Sequence, residues 1–264
     1  MLKPSLILIC LSSASICSFA QKQPNGDSLV REASKTEVYT PVPKIVTPGA
    51  TPSDAPSDAV ILFDGKNLDQ WRSVDHPEKP AGWKVSEGVI TVDKRNGNIE
   101  TKQTFVDFQL HIEWRIPEII HGEGQGRGNS GVFLASTGSG DEGYEIQVLD
   151  NYNNATYTNG QAGSIYKEHI PLANACRKPG EWQTYDIIWT APRFNDDGTV
   201  KSKARVTAIH NGVLIQNNVE VQGITAWIGA HSYYKKHGAC PIKLQSHGDP
   251  SEPISFKNIW VRPL

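Results

Sequence analysis

Phe108-Gln109-Leu110-His111-Ile112-Glu113-Trp114 alternates apolar and polar residues along its whole length. A chain that repeats every second residue is an extended strand with one side in a core. The same period returns in Val206-Thr207-Ala208-Ile209-His210, and Asn211-Gly212 separates it from Val213-Leu214-Ile215-Gln216-Asn217. Asn and Gly both tolerate positive φ, so this pair predicts a two-residue hairpin. Outward from these runs, from Ala59 onward, short apolar stretches alternate with Gly, Asn, Asp and Pro clusters. Strands are expected at Ala59–Phe63, Trp83–Val85, Val89–Val92, Phe108–Arg115, Ser130–Leu134, Tyr144–Val148, Trp182–Thr190, Ala204–His210, Val213–Asn217, Ile242–Gln245 and Ile254–Val261. No convincing amphipathic helix and no internal repeat is visible. Many short strands with turn signals at short spacing predict an all-β sandwich or jelly roll.

The N-terminus of the 264-residue chain reads as a secretion signal. Lys3 supplies a positive charge, Leu6 to Leu11 a short apolar core, and Ser18-Phe19-Ala20 the small residues of a cleavage site. The expected mature chain starts near Gln21 and lies in the periplasm or outside the cell. Acylation of Cys17 is the rival reading, with Ile16 standing where a small residue is wanted. The apolar run is too short to span a bilayer, and no later stretch is a candidate span. Residues 21–57, rich in Pro, Ser, Thr, Ala and Asp, read as a linker that lacks the apolar content to fold alone. Residues 58–264 suffice for one large β domain. A net charge of −2 without a basic run gives no footprint for nucleic acid or an anionic membrane. Cys10 and Cys17 would leave with the signal. Cys176 and Cys240 remain, either as a disulfide formed in an oxidising compartment or as two free buried thiols. There is no CxxC, so a cysteine zinc site is not expected, and neither a metal nor a cofactor is called for.

Gly122-Glu123-Gly124-Gln125-Gly126-Arg127-Gly128 superficially suggests a phosphate loop. A dinucleotide fingerprint opens a helix, whereas here a strand follows, so nucleotide binding is rejected. The alternatives are a plain hairpin loop or a loop that holds Arg127 and Asn129 at the rim of a sheet. In Tyr144-Glu145-Ile146-Gln147-Val148-Leu149-Asp150, Glu145 and Gln147 point to one face. A bulge at Val148-Leu149 would return Asp150 to that face as well. The spacing resembles the Glu-x-Asp-x-x-Glu strand of laminarinase-type glycosidases, with Gln in place of the middle carboxylate and Asp in place of the last Glu. The bland reading is a solvent-facing strand edge. In Leu244-Gln245-Ser246-His247-Gly248, Gln245 and His247 share a face and are either site residues or ordinary, satisfied surface or core side chains. Among the seven tryptophans, most are expected in the core, and Trp114, beside Glu113 at a strand end, is the candidate sugar-stacking platform. Asn154-Ala155-Thr156 matches a glycosylation acceptor.

With these residues in view, the chain resembles the 3-keto-disaccharide hydrolase family. Leu62-Phe63-Asp64-Gly65-Lys66-Asn67-Leu68-Asp69-Gln70-Trp71 is similar to that family's opening block. Gly126-Arg127-Gly128-Asn129-Ser130-Gly131-Val132, the Tyr144–Asp150 strand and Pro179-Gly180-Glu181-Trp182-Gln183 are similar to its middle. Leu244–Gly248 and Phe256-Lys257-Asn258-Ile259-Trp260-Val261 resemble its end. The resemblance implies a concanavalin-like jelly roll, a sandwich of two antiparallel sheets. It also implies cleavage of an oxidised di- or oligosaccharide or glucoside that carries a ketone at C3. The ketone acidifies the C2 hydrogen, so one base can remove it and expel the C1 group by β-elimination, with water adding afterwards. On this reading Glu145 is the general base, and His247 or Asp150 is the acid or orients the base. Arg127, Asn129, Gln147, Gln245 and Trp114 hold the sugar. The competing readings are an ordinary glycosidase using Glu145 and Asp150, and a carbohydrate-binding module without catalysis.

Overall fold

The computed structural model of the protein describes residues 26–264. The expected leader, with Cys10 and Cys17, lies outside the described residues. The chain divides into two units between Ile45 and Val46. The first carries α1 (Gly26–Ser34), which the sequence reading did not anticipate; none of its residues is buried. Asp27 in its first turn and Arg31 in its last suit the helix dipole. Local preference rather than packing forms it, so no burial pattern announced it.

The second unit already includes residues 46–57, which composition had assigned to the linker. Ser57 N–H donates to the Thr47 carbonyl (2.9 Å). The Ser53 carbonyl accepts from Trp260 Nε1 and Asn258 Nδ2, both at 2.9 Å. This stretch is ordered by hydrogen bonds to the last strand, which its Pro- and Ser-rich composition does not reveal.

The strands in chain order are β1 (Val60–Phe63), β2 (Trp71–Ser73), β3 (Lys84–Ser86), β4 (Val89–Thr91), β5 (Ile99–Thr101), β6 (Phe108–Arg115), β7 (Ser130–Ser136), β8 (Gly143–Val148), β9 (Trp182–Thr190), β10 (Arg193–Phe194), β11 (Val200–Ser202), β12 (Arg205–His210), β13 (Val213–Glu220), β14 (Lys243–Leu244) and β15 (Ser255–Pro263). An eight-stranded antiparallel sheet runs β13-β12-β9-β6-β15-β4-β3, with β1 also on β15. A five-stranded sheet runs β2-β5-β14-β7-β8. β2 and β5 escaped the sequence reading because three residues are too few to show a period, and Glu100 in β5 is buried. The predicted hairpin closes β12 onto β13, with φ of 51° at Asn211 and 81° at Gly212.

The two sheets face each other across one apolar core. Phe108, Leu110, Ile112 and Trp114 of β6 meet Tyr144, Ile146 and Val148 of β8 in that cluster. Tyr144 and Trp189 rings lie 5.3 Å apart, and the Tyr185 hydroxyl donates to the Gln147 carbonyl (2.8 Å), tying one sheet to the other. The molecule is an all-β, concanavalin-like jelly roll. Cys176 and Cys240 are free thiols. Cys176 Sγ faces the Leu149 carbonyl, and Cys240 Sγ lies 3.4 Å from His237 Nδ1.

Candidate functional site

In β8 the alternation sends Tyr144, Ile146 and Val148 into the core. Glu145 and Gln147 therefore face away from it, on the outer side of the five-stranded sheet. That side is mostly charged by register: Arg72, Glu100, Lys243, Phe133 and Glu145 are successive cross-strand partners, with the Lys243 ammonium over the Phe133 ring. A cleft of about 650 Å³ opens there, lined by Glu145, Gln147, Asn129, Gln245 and His247 among others.

Glu145 is only 5% exposed. Its carboxyl lies over Gly131 on the neighbouring strand, where a Cβ would come within 2.3 Å of Glu145 Oε1. Glu145 N–H is taken by Thr225 Oγ1 (2.9 Å), while among the described residues no hydrogen bond is made by the carboxylate itself. Burial, with the Asp141 charge adding to it, pushes the Glu145 carboxyl up to about 8, and Lys243 offsets part of that rise. Lys243 is fully buried, and its Nζ donates to the carbonyls of Gly138 (3.1 Å), Gly140 (2.8 Å) and Glu142 (2.9 Å). It thereby fixes the loop that carries Asp141 to the cleft. Burial pushes the Lys243 ammonium down to about 8 against the pull of Glu100.

His247 Nδ1 lies 3.0 Å from Asp249 Oδ2. Asp249 is held in turn by Ser251 N–H (2.9 Å), the Ser251 hydroxyl and the Lys94 ammonium (3.5 Å). Burial alone would raise the Asp249 carboxyl, but the hydrogen bonds from His247 and Ser251 hold it below the usual range. The imidazole is thus oriented from behind by a carboxylate, with Nε2 on the Asn129 side, 3.4 Å from Nδ2.

Three residues expected in the site lie elsewhere. Trp114 is 0% exposed and packed against Tyr185 and His210, because its position in β6 falls on the core face. Asp150 does not reach the Glu145 face. The β7–β8 register is regular from Ser130↔Val148 to Phe133↔Glu145, and the shift falls between Phe133 and Ser136, not at Val148-Leu149. Asp150 instead accepts from Arg127 Nε (2.7 Å), and neither residue lines the cleft. This pair clamps the glycine-rich loop to the chain after β8, helped by Asn154, whose Nδ2 donates to the Gly124 and Asp150 carbonyls. Asn154 is 8% exposed, so the sequon asparagine is a buried loop brace.

Sequence reasoning missed Asp249, Gln125, Tyr166 and Trp227, all of which line the cleft. Asp249 had a signal, an acid two residues after the candidate histidine. Trp227 is 72% exposed and lies outside any strand, which suits an aromatic platform better than Trp114. The Tyr157 and Tyr166 hydroxyls meet at 2.6 Å. Burial, then this bond, raises the Tyr166 phenol above its ordinary value. Among the described residues no group of three His, Cys, Asp or Glu side chains is placed to hold a metal, and no helix is long and apolar enough to cross a membrane.

Residues 58–262 match the family described as the 3-keto-alpha-glucoside-1,2-lyase-like domain. The chain is 26% identical over 214 residues to a 3-keto-disaccharide hydrolase of Bacteroides thetaiotaomicron, covering 69% of this chain and 71% of that protein. It is 57% identical to a glycosyl hydrolase candidate of Parabacteroides distasonis, whose crystal structure superposes with a TM-score of 0.80 over 88% of this chain and 96% of that one. A second P. distasonis structure, 22% identical, shares the fold with a TM-score of 0.55 over 78% of this chain and 99% of the other. With a match that spans most of its length and a sandwich of the same shape, the chain belongs to the 3-keto-alpha-glucoside-1,2-lyase-like domain family.

Proposed function

We propose that the protein cleaves glycosides oxidised at C3 of the sugar, with Glu145 as the base that removes the C2 proton. The observation that carries this reading is the Glu145 carboxyl, sequestered on the cleft floor over Gly131, with a basicity raised to about 8. A base is most effective when its pKa lies near the working pH. Proton transfer from C2 to Glu145 gives an enolate conjugated with the C3 ketone. The enolate expels the C1 oxygen, which takes a proton from His247, oriented by Asp249. Water then adds at C1 and passes its proton to His247, while Glu145 returns its proton to C2, so both groups end as they began. The net change is one water consumed and one glycosidic bond opened. The names of the family and of the B. thetaiotaomicron relative support the substrate class. A displacement by paired carboxylates is disfavoured, because Asp150 is bound to Arg127 outside the cleft.

The test compares methyl 3-keto-α-D-glucoside with methyl α-D-glucoside. Turnover is expected for the ketone only, with kcat/KM rising with pH up to about 8. Glu145→Gln should lose about 10²–10⁴-fold of that turnover. Turnover of the unoxidised glucoside, or a Glu145→Gln variant near wild-type rate, overturns the reading. Binding of both sugars without turnover of either would make the protein a binding module. We also infer export, from the signal features of residues 1–20. Sequencing should find a mature N-terminus near Gln21, and an intact Met1 or an acylated Cys17 would refute it.

A further inference from the structure

Gln147 reaches the cleft floor with its amide orientation fixed from behind. Gln125 Nε2 donates to the Gly160 carbonyl (2.8 Å) and to Thr156 Oγ1 (3.0 Å), which leaves Gln125 Oε1 as an acceptor. Asn129 Nδ2 donates to the Gln125 carbonyl (2.9 Å), which leaves Asn129 Oδ1 as an acceptor. Gln147 Nε2 donates to both of these oxygens, at 3.1 and 3.0 Å, so its two N–H groups are spent. Turning any of the three amides round would set oxygen against oxygen, at a main-chain carbonyl in two cases. The polarity of the chain is therefore dictated by two backbone carbonyls.

The atom left over is Gln147 Oε1, which is buried and has no hydrogen-bond partner among the described residues. Buried polar atoms are nearly always paired, so an orphan on a cleft floor is a place for a ligand atom or a water to bind. The Gln147 backbone is pinned as well. Its N–H donates to the Ser164 carbonyl, and its own carbonyl accepts from Gly163 N–H and the Tyr185 hydroxyl. Gln245 Oε1 is likewise buried without a partner, but among the described residues no hydrogen bond fixes that amide, so it can present either end.

We propose that Gln147 Oε1 is a fixed acceptor that selects a hydroxyl on the sugar ring, with the Gln125–Asn129 amide pair as the device that prevents it from turning. The inference rests on the functional reading above and adds a specificity residue to it. A ketone has no proton to give, so the oxidised carbon cannot face Gln147. The residue reads a ring hydroxyl other than the oxidised one and thereby fixes which carbon is presented to Glu145.

The test uses methyl 3-keto-α-D-glucoside and analogues with one hydroxyl, at C2, C4 or C6, replaced by hydrogen or by fluorine. Fluorine accepts hydrogen bonds but cannot donate one. At one position the wild type should lose about 10- to 100-fold in kcat/KM on both replacements, since the acceptor is then left unpaired. Gln147→Met should abolish that discrimination at that position alone. Taking each analogue as a ratio between variant and wild type cancels any change in intrinsic reactivity. Gln125→Met, which leaves Asn129 Oδ1 as the single acceptor holding the Gln147 amide, should partly restore the fluoro analogue relative to the deoxy one. The inference is overturned if Gln147→Met weakens all analogues equally, or if the wild type takes fluorine as well as hydroxyl at every position. If no 3-keto sugar is turned over at all, the functional reading falls with it.

Discussion

Glu145 illustrates how a site residue costs the fold. Its carboxyl keeps a proton in the folded state up to about 8, whereas an unfolded glutamate releases it near 4.3. Folding therefore binds the proton more tightly, and stability falls as pH rises from about 4 to about 8. Glu145→Gln should remove this penalty, on the order of 3 kcal/mol at pH 7. The variant that loses activity should thus unfold at a higher urea concentration at pH 7 and gain little at pH 4. Equal gains at both pH values would show that burial does not perturb this carboxyl. Asp150 makes the contrasting case. It is buried against the partly exposed Arg127, so Asp150→Asn should cost about 2 kcal/mol of stability, less than a fully buried pair would. Its loss of turnover should stay well below that of Glu145→Gln. A loss as deep as that of Glu145→Gln would return Asp150 to the chemistry.

At the scale of the element, the paired strands β7 and β8 carry the site. Gly131 pairs with Gln147 and Phe133 with Glu145, so the missing side chain of Gly131 is the seat of the Glu145 carboxyl. Gly131→Ala should leave the fold intact, because the atom it would strike is the far end of a flexible side chain. It should nonetheless displace the carboxyl by about an ångström and lower kcat about 10²-fold. Circular dichroism together with kcat decides it: a folded variant with wild-type turnover would show that the carboxyl position is not critical. The strand, its period and the shared face of Glu145 and Gln147 were legible in the sequence. The end of the strand was not. Alternation cannot say where the regular strand ends; it ends at Val148, and beyond it Asp150 is tied by its N–H to the Gly128 carbonyl (3.2 Å) and by its carboxylate to Arg127.

At the scale of the molecule, stability should follow a shaped pH profile. Burial disfavours a charged His111, but hydrogen bonds to Asp186 and Glu113 outweigh it and raise the imidazole to about 9. A raised histidine contributes stability that is full below about 6.5 and lost as pH rises through about 9. Glu145 withdraws stability up to about 8. His210, buried and pushed down to about 3, adds stability as pH rises from about 3 to about 6.5, and there it offsets Glu145. Lys243, lowered to about 8, adds stability only above that pH. Among these four groups, the two losses run unopposed between about 6.5 and 8, each at about 1.4 kcal/mol per pH unit. The melting temperature should therefore hold on the acid side of 6.5 and fall between 6.5 and 8. His111→Gln should remove about half of that slope, and a flat wild-type profile across this window would refute the assignment.

The sequence by itself determined the all-β class, the hairpin at Asn211-Gly212 and the face shared by Glu145 and Gln147, because these follow from side-chain period and local φ preference. It also held the blocks that identify the family. Which tryptophan faces the cleft was not determined locally. Trp114 sits on a strand whose polar neighbours look like a rim, yet its side of β6 is the side the second sheet covers. The approach of Asn129 to His247, the seat of Glu145 on Gly131 and the amide chain behind Gln147 join residues from separate strands and loops. Their contacts exist only once β14, β7 and β8 lie side by side, so burial, pKa and hydrogen-bond polarity at the site were decided by the tertiary structure alone.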